Sequence, residues 1–193
     1  MRISKGYWLW GLFPSVEKVF LNEIKAKVQS KLKSPFFETH ITLTGPYLNI
    51  DNIFLNKLKN FAENNSAILL NVGGYDFKQE IFKSFYISIE NSRGLKELRR
   101  NIYELNNFDL ANNYSPHISL SYGDHEIKAK KELISNLPEL NQPIKMSKIA
   151  LVEVDEDINL WKILESFDLN YTNLGLKVSS FSQFFPIFSQ GGF

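Results

Sequence analysis

The sequence predicts an α+β chain: a bilobal, duplicated fold in which two antiparallel-rich sheets, flanked by helices, enclose a central cleft with pseudo-twofold symmetry. Three observations predict it. Residues 40–43 read HITL and residues 117–120 read HISL, two versions of one tetrad. Around each tetrad runs the same succession of apolar strand, amphipathic helix, histidine strand and second helix. The spacings agree: the histidines are 77 positions apart (117 − 40), and the helices before them start 79 apart (93 − 14). A solenoid repeat is shorter and needs several copies, so two lobes fit this period better. Expected boundaries are one domain over 1–169, with lobes at about 7–75 and 82–154, and a Phe/Ser-rich extension over 170–193.

The elements follow in order. Tyr7 to Phe13 is an aromatic strand. Pro14 opens a helix, as proline does at a helix start, with Val16, Phe20, Ile24, Val28 and Leu32 as its inward row. The HITL strand comes next, then a helix from about Asp51 to Ala62 and an apolar strand from about Ala67 to Tyr75. The second copy begins with FYISIE (Phe85 to Glu90) and continues with a helix striped by Leu95, Leu98, Ile102 and Leu105. After HISL, Asp124 is placed as the N-cap of a helix reaching about Leu137. Ile149 to Val154 and the run around Trp161 to Leu169 close the domain as strands.

Each tetrad carries chemistry through its alternation. On a strand, His40 and Thr42 face one side and Ile41 and Leu43 the other, and His117, Ser119, Ile118 and Leu120 repeat the arrangement. A histidine on a half-buried strand is ordinarily structural. Two of the chain's three histidines in matched phrases fit scatter poorly. Two imidazoles able to move protons near neutral pH, beside two hydroxyls able to hold an oxyanion, suit phosphodiester chemistry.

Paired His-x-Thr/Ser phrases in a duplicated α+β chain resemble the two-histidine phosphoesterase superfamily. The resemblance covers roughly residues 7–168, and YWLWGLFP and SPHISLSYGD are most similar to its cyclic phosphodiesterase branch. The tetrad is short, so the specificity of the match comes from its duplication and spacing. What the resemblance implies is metal-independent hydrolysis, without a covalent intermediate or a cofactor, of a small cyclic phosphodiester: a nucleoside 2′,3′-cyclic phosphate or ADP-ribose 1″,2″-cyclic phosphate. It also implies His117 as base and His40 as acid, an assignment that pseudo-symmetry leaves open. The alternatives are an RNA-end enzyme of the 2′,5′ ligase or exonuclease kind, an enzyme that degrades a nucleotide signal, and a non-catalytic nucleotide-binding module.

The remaining candidates concern the ligand's base or ribose. Tyr122 matches an aromatic of the cyclic phosphodiesterase phrase, yet strict alternation turns it away from His117 unless the strand ends or bulges before Gly123. Core packing is its other reading. Trp10, Tyr7 and Tyr86 stand on the leading strands, where an aromatic either lines the cleft or packs the core. Phe36 and Phe37 are candidates for the cleft rim.

Composition bounds the rest. With 44% hydrophobic residues in 193, the chain has core enough for both sheets. It contains no cysteine, which excludes disulfides and thiolate metal sites. No metal ligand set is visible, nor a secretory or membrane-spanning run, so a cytoplasmic monomer is expected. A net charge of +1 favours a small nucleotide over a long polyanion, with RNA ends as the alternative ligand.

Lys18, Lys25, Lys27, Lys31 and Lys33 are expected on the solvated back of the first helix, with an RNA-guiding surface as the alternative. Gly73-Gly74 is a bend or bulge, Asp155, Glu156 and Asp157 a solvated hairpin tip, and His125 a surface residue. The extension holds Phe181, Phe184, Phe185, Phe188 and Phe193, costly to leave wet, so docking, a partner surface and a membrane interface all stand open.

Overall fold

The computed structural model describes residues 5–105 and 113–170. The order is β1 (Gly6–Leu12), α1 (Ser15–Leu32), β2 (Ile41–Tyr47), α2 (Asn52–Asn64), β3 (Ile68–Leu70), β4 (Val72–Phe77), β5 (Phe85–Ile89), α3 (Arg93–Glu104), β6 (His117–Ser121), α4 (Ile127–Ile134), β7 (Ile144–Met146), β8 (Lys148–Val154) and β9 (Lys162–Asp168). Short 3₁₀ turns at Ile81–Lys83 and Ile158–Leu160 lead into β5 and β9. The chain is α+β, with a large antiparallel sheet and a small one.

The seven-stranded sheet runs β4-β5-β6-β2-β1-β8-β9. Its centre is the single pair Ile41 and Ile118, which joins β2 to β6. On each side of that pair lies a histidine strand, then a leading strand, then a third strand supplied by the other sequence repeat. Thus β4 of the first repeat pairs with β5, and β8 of the second pairs with β1. The sequence ranges 7–75 and 82–154 therefore differ from the two halves of the sheet. The apolar run after Ala67 is two strands rather than one: β3 pairs with β7, and after Asn71 the chain crosses as β4 to the far edge, with a register shift between Val72 and Gly74.

Alternation sorts the two faces. Leu9, Ile41, Leu43, Ile87, Ile118, Leu120, Ile149 and Leu151 point into one core, which the inner rows of the helices complete. The opposite face carries Trp8 and Trp10, Thr42 and Thr44, Tyr86, His117 and Ser119. A smaller cluster of Trp10, Ala150, Val152 and Val154, with Trp161 against it, covers the β1-β8 part of this second face. Among the described residues no helix is long and apolar enough to cross a membrane.

Three local expectations are corrected. In α1 the buried row is Leu21, Ile24, Lys25, Val28 and Leu32, whereas Val16 is 80% and Phe20 38% exposed. A row in steps of four drifts by about 40° per step on a helix of 3.6 residues per turn, so its first members leave the core face. Lys25, expected in solvent, is buried on that face. Asp124 is not the cap of α4, which begins at Ile127 and ends at Ile134. The chain first needs a turn at Gly123, where φ is +126° and the N–H is taken by Ile81 O. By contrast Asp51 caps α2, accepting from Phe54 N at 2.7 Å. The extension lies outside the described residues apart from Asn170, which bridges to Ser66.

Candidate active site

β2 and β6 meet at the pair Ile41 and Ile118, and around it His40 and Thr42 of the first tetrad and His117 and Ser119 of the second all line one cleft on the face away from the core. Each imidazole thus shares the cleft with the hydroxyls of both tetrads.

The two rings are held alike. His40 Nδ1 lies 2.7 Å from Glu38 O, and His117 Nδ1 lies 2.9 Å from Ser115 O. A carbonyl oxygen only accepts, so each Nδ1 carries the hydrogen and each Nε2 is left for the cleft. Both carbonyls belong to the residue two before the histidine, a local device repeated in the two copies. His40 is buried, and this desolvation pushes its pKa down to about 3 against the pull of the Glu38 carbonyl, with Lys25 and His117 adding small repulsions. His117 is half-buried, and its pKa is pushed down to about 4, chiefly by burial and secondarily by Lys83 and Lys78. Both imidazoles are therefore neutral at pH 7 before an anion arrives.

These side chains line a cleft of about 450 Å³. Its wall includes Trp8, Trp10, His40, Thr42, His117 and Ser119, with Tyr122 and Trp161 at one side and Arg99, Tyr103 and Tyr114 at another. Trp10 stacks on His40, and Trp161 meets Trp10 edge-on at 5.5 Å. Gly45, with φ +133°, lets the Trp8 ring lie against the backbone, since a Cβ there would be 2.7 Å from the ring.

The sequence-derived candidates fall into two groups. His40, His117, Thr42, Ser119, Trp10 and Tyr122 line the cleft. β6 ends at Ser121, which frees Tyr122 from alternation; it stacks on Phe37 at 4.1 Å, and burial pushes its phenol up to about 12, the nearby Ser119 hydroxyl offsetting part of the shift. Tyr86 and Phe37 do not line that cleft. Tyr86 supports His117 from beside it, edge-on at 5.2 Å, with its hydroxyl donating to Asp76 at 2.7 Å. Phe37 and the exposed Phe36 instead line a neighbouring hollow behind Trp10 and Trp161. Tyr7 borders another hollow altogether. His125 is half-buried, its Nε2 lying 3.1 Å from Tyr122 O.

Five named contributors to the wall were not foreseen as site residues: Trp8, Trp161, Arg99, Tyr103 and Tyr114. Where β2 and β6 part beyond Ile41, side chains take over backbone pairing. Tyr114 OH donates to Thr42 O at 2.8 Å and Arg99 Nε to Leu43 O at 2.7 Å. From α1, Lys25 Nζ donates to Phe37 O and lies 3.6 Å from the Phe37 ring centroid, while Lys18 pairs with Glu38 at 2.8 Å. Two of the four basic residues of α1 thus hold the segment that orients His40. Desolvation pulls Lys25 down to about 8. Among the described residues no three His, Cys, Asp or Glu side chains gather into a potential metal site.

A family model described as the 2′-5′ RNA ligase superfamily matches residues 13–158, a span that takes in both tetrads. The chain belongs to the 2′-5′ RNA ligase superfamily, the two-histidine phosphoesterases. Solved structures agree on the fold. E. coli LigT complexed with 3′-AMP is 13% identical with a TM-score of 0.57, covering 86% of this chain and 98% of LigT. TT0787 of Thermus thermophilus is 17% identical with a TM-score of 0.58, covering 89% and 100%. LigT has also been solved with phosphate, at 13% identity, a TM-score of 0.53 and coverage of 86% and 97%. A sequence comparison with curated proteins found no match. Membership of the superfamily makes a phosphoesterase activity the reference point for this cleft.

Proposed function

We propose that the cleft hydrolyses a small cyclic phosphodiester, a nucleoside 2′,3′-cyclic phosphate or ADP-ribose 1″,2″-cyclic phosphate, without a metal ion. The observation that carries this reading is the gathering of two Nδ1-tethered imidazoles and two hydroxyls in one cleft. Nε2 of His117 takes a proton from water as its oxygen attacks phosphorus. The opposite P–O bond breaks, and His40 Nε2–H gives its proton to the departing sugar oxygen. Thr42 and Ser119 hydroxyls donate to the non-bridging oxygens as charge builds there. The product is a phosphomonoester, and the enzyme ends with its proton moved from His40 to His117, to be returned through solvent.

An imidazole that is neutral in the empty cleft must be protonated to act as acid. The dianion-like transition state and the Trp10 face both favour the charged form of His40. The cleft volume falls in the range of small-ligand sites, and E. coli LigT, which shares the fold, binds 3′-AMP. Both support a nucleotide-sized ligand. The name of the matching family favours one second reading, transfer at RNA ends, in which a sugar hydroxyl replaces water as nucleophile and the same proton movements apply. Assay of a panel of nucleoside 2′,3′-cyclic phosphates, ADP-ribose 1″,2″-cyclic phosphate and cyclic-phosphate-ended oligonucleotides, all in excess chelator, tests the proposal. Turnover of a mononucleotide-scale compound is expected; cleavage or joining of oligonucleotides alone would replace it with the second reading.

A further inference from the structure

Arg99 is a buried cation that the proton-transfer scheme does not use. It falls in the inward row of α3 with Leu95, Leu98 and Ile102, and is only 5% exposed. Its guanidinium carbon lies 3.3 Å from the Tyr114 ring centroid, with the Tyr103 ring 5.7 Å away. Of its five N–H donors, one is spent on Leu43 O, and its terminal nitrogens bond no described residue. No carboxylate among the described residues is within ion-pair distance. On α3 itself, Glu97 pairs with Arg93 and Glu104 with Arg100. Nor is Tyr114 a hidden anion, because burial holds its phenol far above the ordinary range.

A guanidinium removed from water without a counter-ion is costly, and the cost is offset when an anion completes it. Arg99 lines the same cleft as the two histidines. Its anchor, Leu43 O, is three residues along β2 from His40, on the order of 10 Å at the rise of a strand. That is comparable to the reach of one nucleotide. The planar donor fork, stacked on an aromatic ring, suits a phosphoryl group better than a point charge would.

We propose that Arg99, stacked on Tyr114, is a binding subsite for a second phosphoryl group of the ligand whose reacting phosphate sits between His40 and His117. The proposal rests on that cleft being the nucleotide site. The second group is either a terminal 5′-phosphate or the diphosphate bridge of an ADP-ribose derivative, and the two share the chemistry that Arg99 recognises.

Calorimetric titration of the full chain with non-reacting ligands separates these sources. Adenosine 3′,5′-bisphosphate is compared with adenosine 3′-monophosphate, and ADP-ribose with adenosine. At least one doubly charged ligand is expected to bind about tenfold or more tightly than its counterpart, as charge-assisted hydrogen bonds allow. Which pair shows the gain identifies the source. Arg99→Gln should erase the gain, and Arg99→Lys should keep part of it. Equal affinities within both pairs, or a gain that survives Arg99→Gln, would overturn the subsite. Should Arg99→Gln fail to fold, the wild-type gain and its reduction in Arg99→Lys decide. Turnover of the cyclic phosphates by the same preparations is read separately: a binding gain without turnover sinks hydrolysis and keeps the subsite, whereas turnover without a gain does the reverse.

Discussion

Trp10 lies flat on His40, with ring centroids 3.6 Å apart and planes 5° apart. Burial works against a charged His40, and the electron-rich indole face works for it. If His40 is the acid, Trp10 is a positioning and charge-supporting residue. Trp10→Leu should lower kcat by roughly 3- to 30-fold, the range of a desolvated cation–π contact, and move the alkaline limb of kcat to lower pH. Trp10→Phe should lie between. An unshifted limb in Trp10→Leu would remove this role.

The pH profile should be displaced to the acid side. Free-enzyme values of about 3 for His40 and about 4 for His117 govern kcat/KM, which needs one ring charged and one neutral. Its optimum should lie below the ordinary imidazole value of about 6.5 and decline as pH rises. A bound phosphate raises the acid's pKa, so kcat should peak at higher pH than kcat/KM. A kcat/KM optimum above pH 7 would contradict the burial of these rings.

Stability should move with the same groups. The unfolded chain binds protons at these histidines below about pH 6.5, while the folded one resists until about pH 4 and then about pH 3. Their contribution is fully present above pH 6.5 and is lost as pH falls through that window. The Tm of His40→Ala should fall less steeply between pH 6.5 and 4 than that of wild type. Parallel Tm curves would show that His40 titrates normally.

The hydroxyls should matter less than the imidazoles. Thr42→Ala and Ser119→Ala are each expected to cost kcat about 10²-fold, the low end for a donor to developing charge, with KM little changed. Steady-state kinetics of the single variants check this; wild-type kcat in both would place the oxyanion elsewhere.

Much of the candidate site could be read from the chain because the histidine tetrads obey local rules: alternation sets which side chains share a face, and duplication points to two strands that meet. The duplicated order of strands and helices was legible for the same reason. Arg99 and Lys25 escaped because charged residues are ordinarily assigned to solvent. The signal was present, since each stands four residues after a buried leucine, Leu95 and Leu21, inside an apolar row. The crossing of β4 and β8 between halves was not legible, as apolar strands carry no record of their partners. Trp161 was placed on a strand run, but only tertiary packing brings it against Trp10.

The central claim is that His40 and His117 move the protons in a metal-free hydrolysis. The most direct measurement is turnover of a nucleoside 2′,3′-cyclic phosphate, in excess chelator, by wild type, His40→Ala, His117→Ala and the double variant, with folding checked by circular dichroism. Wild type should turn over, and each single variant should lose about 10²- to 10⁴-fold while remaining folded. An active double variant, or a wild type that works only when a divalent ion is restored, would contradict the account.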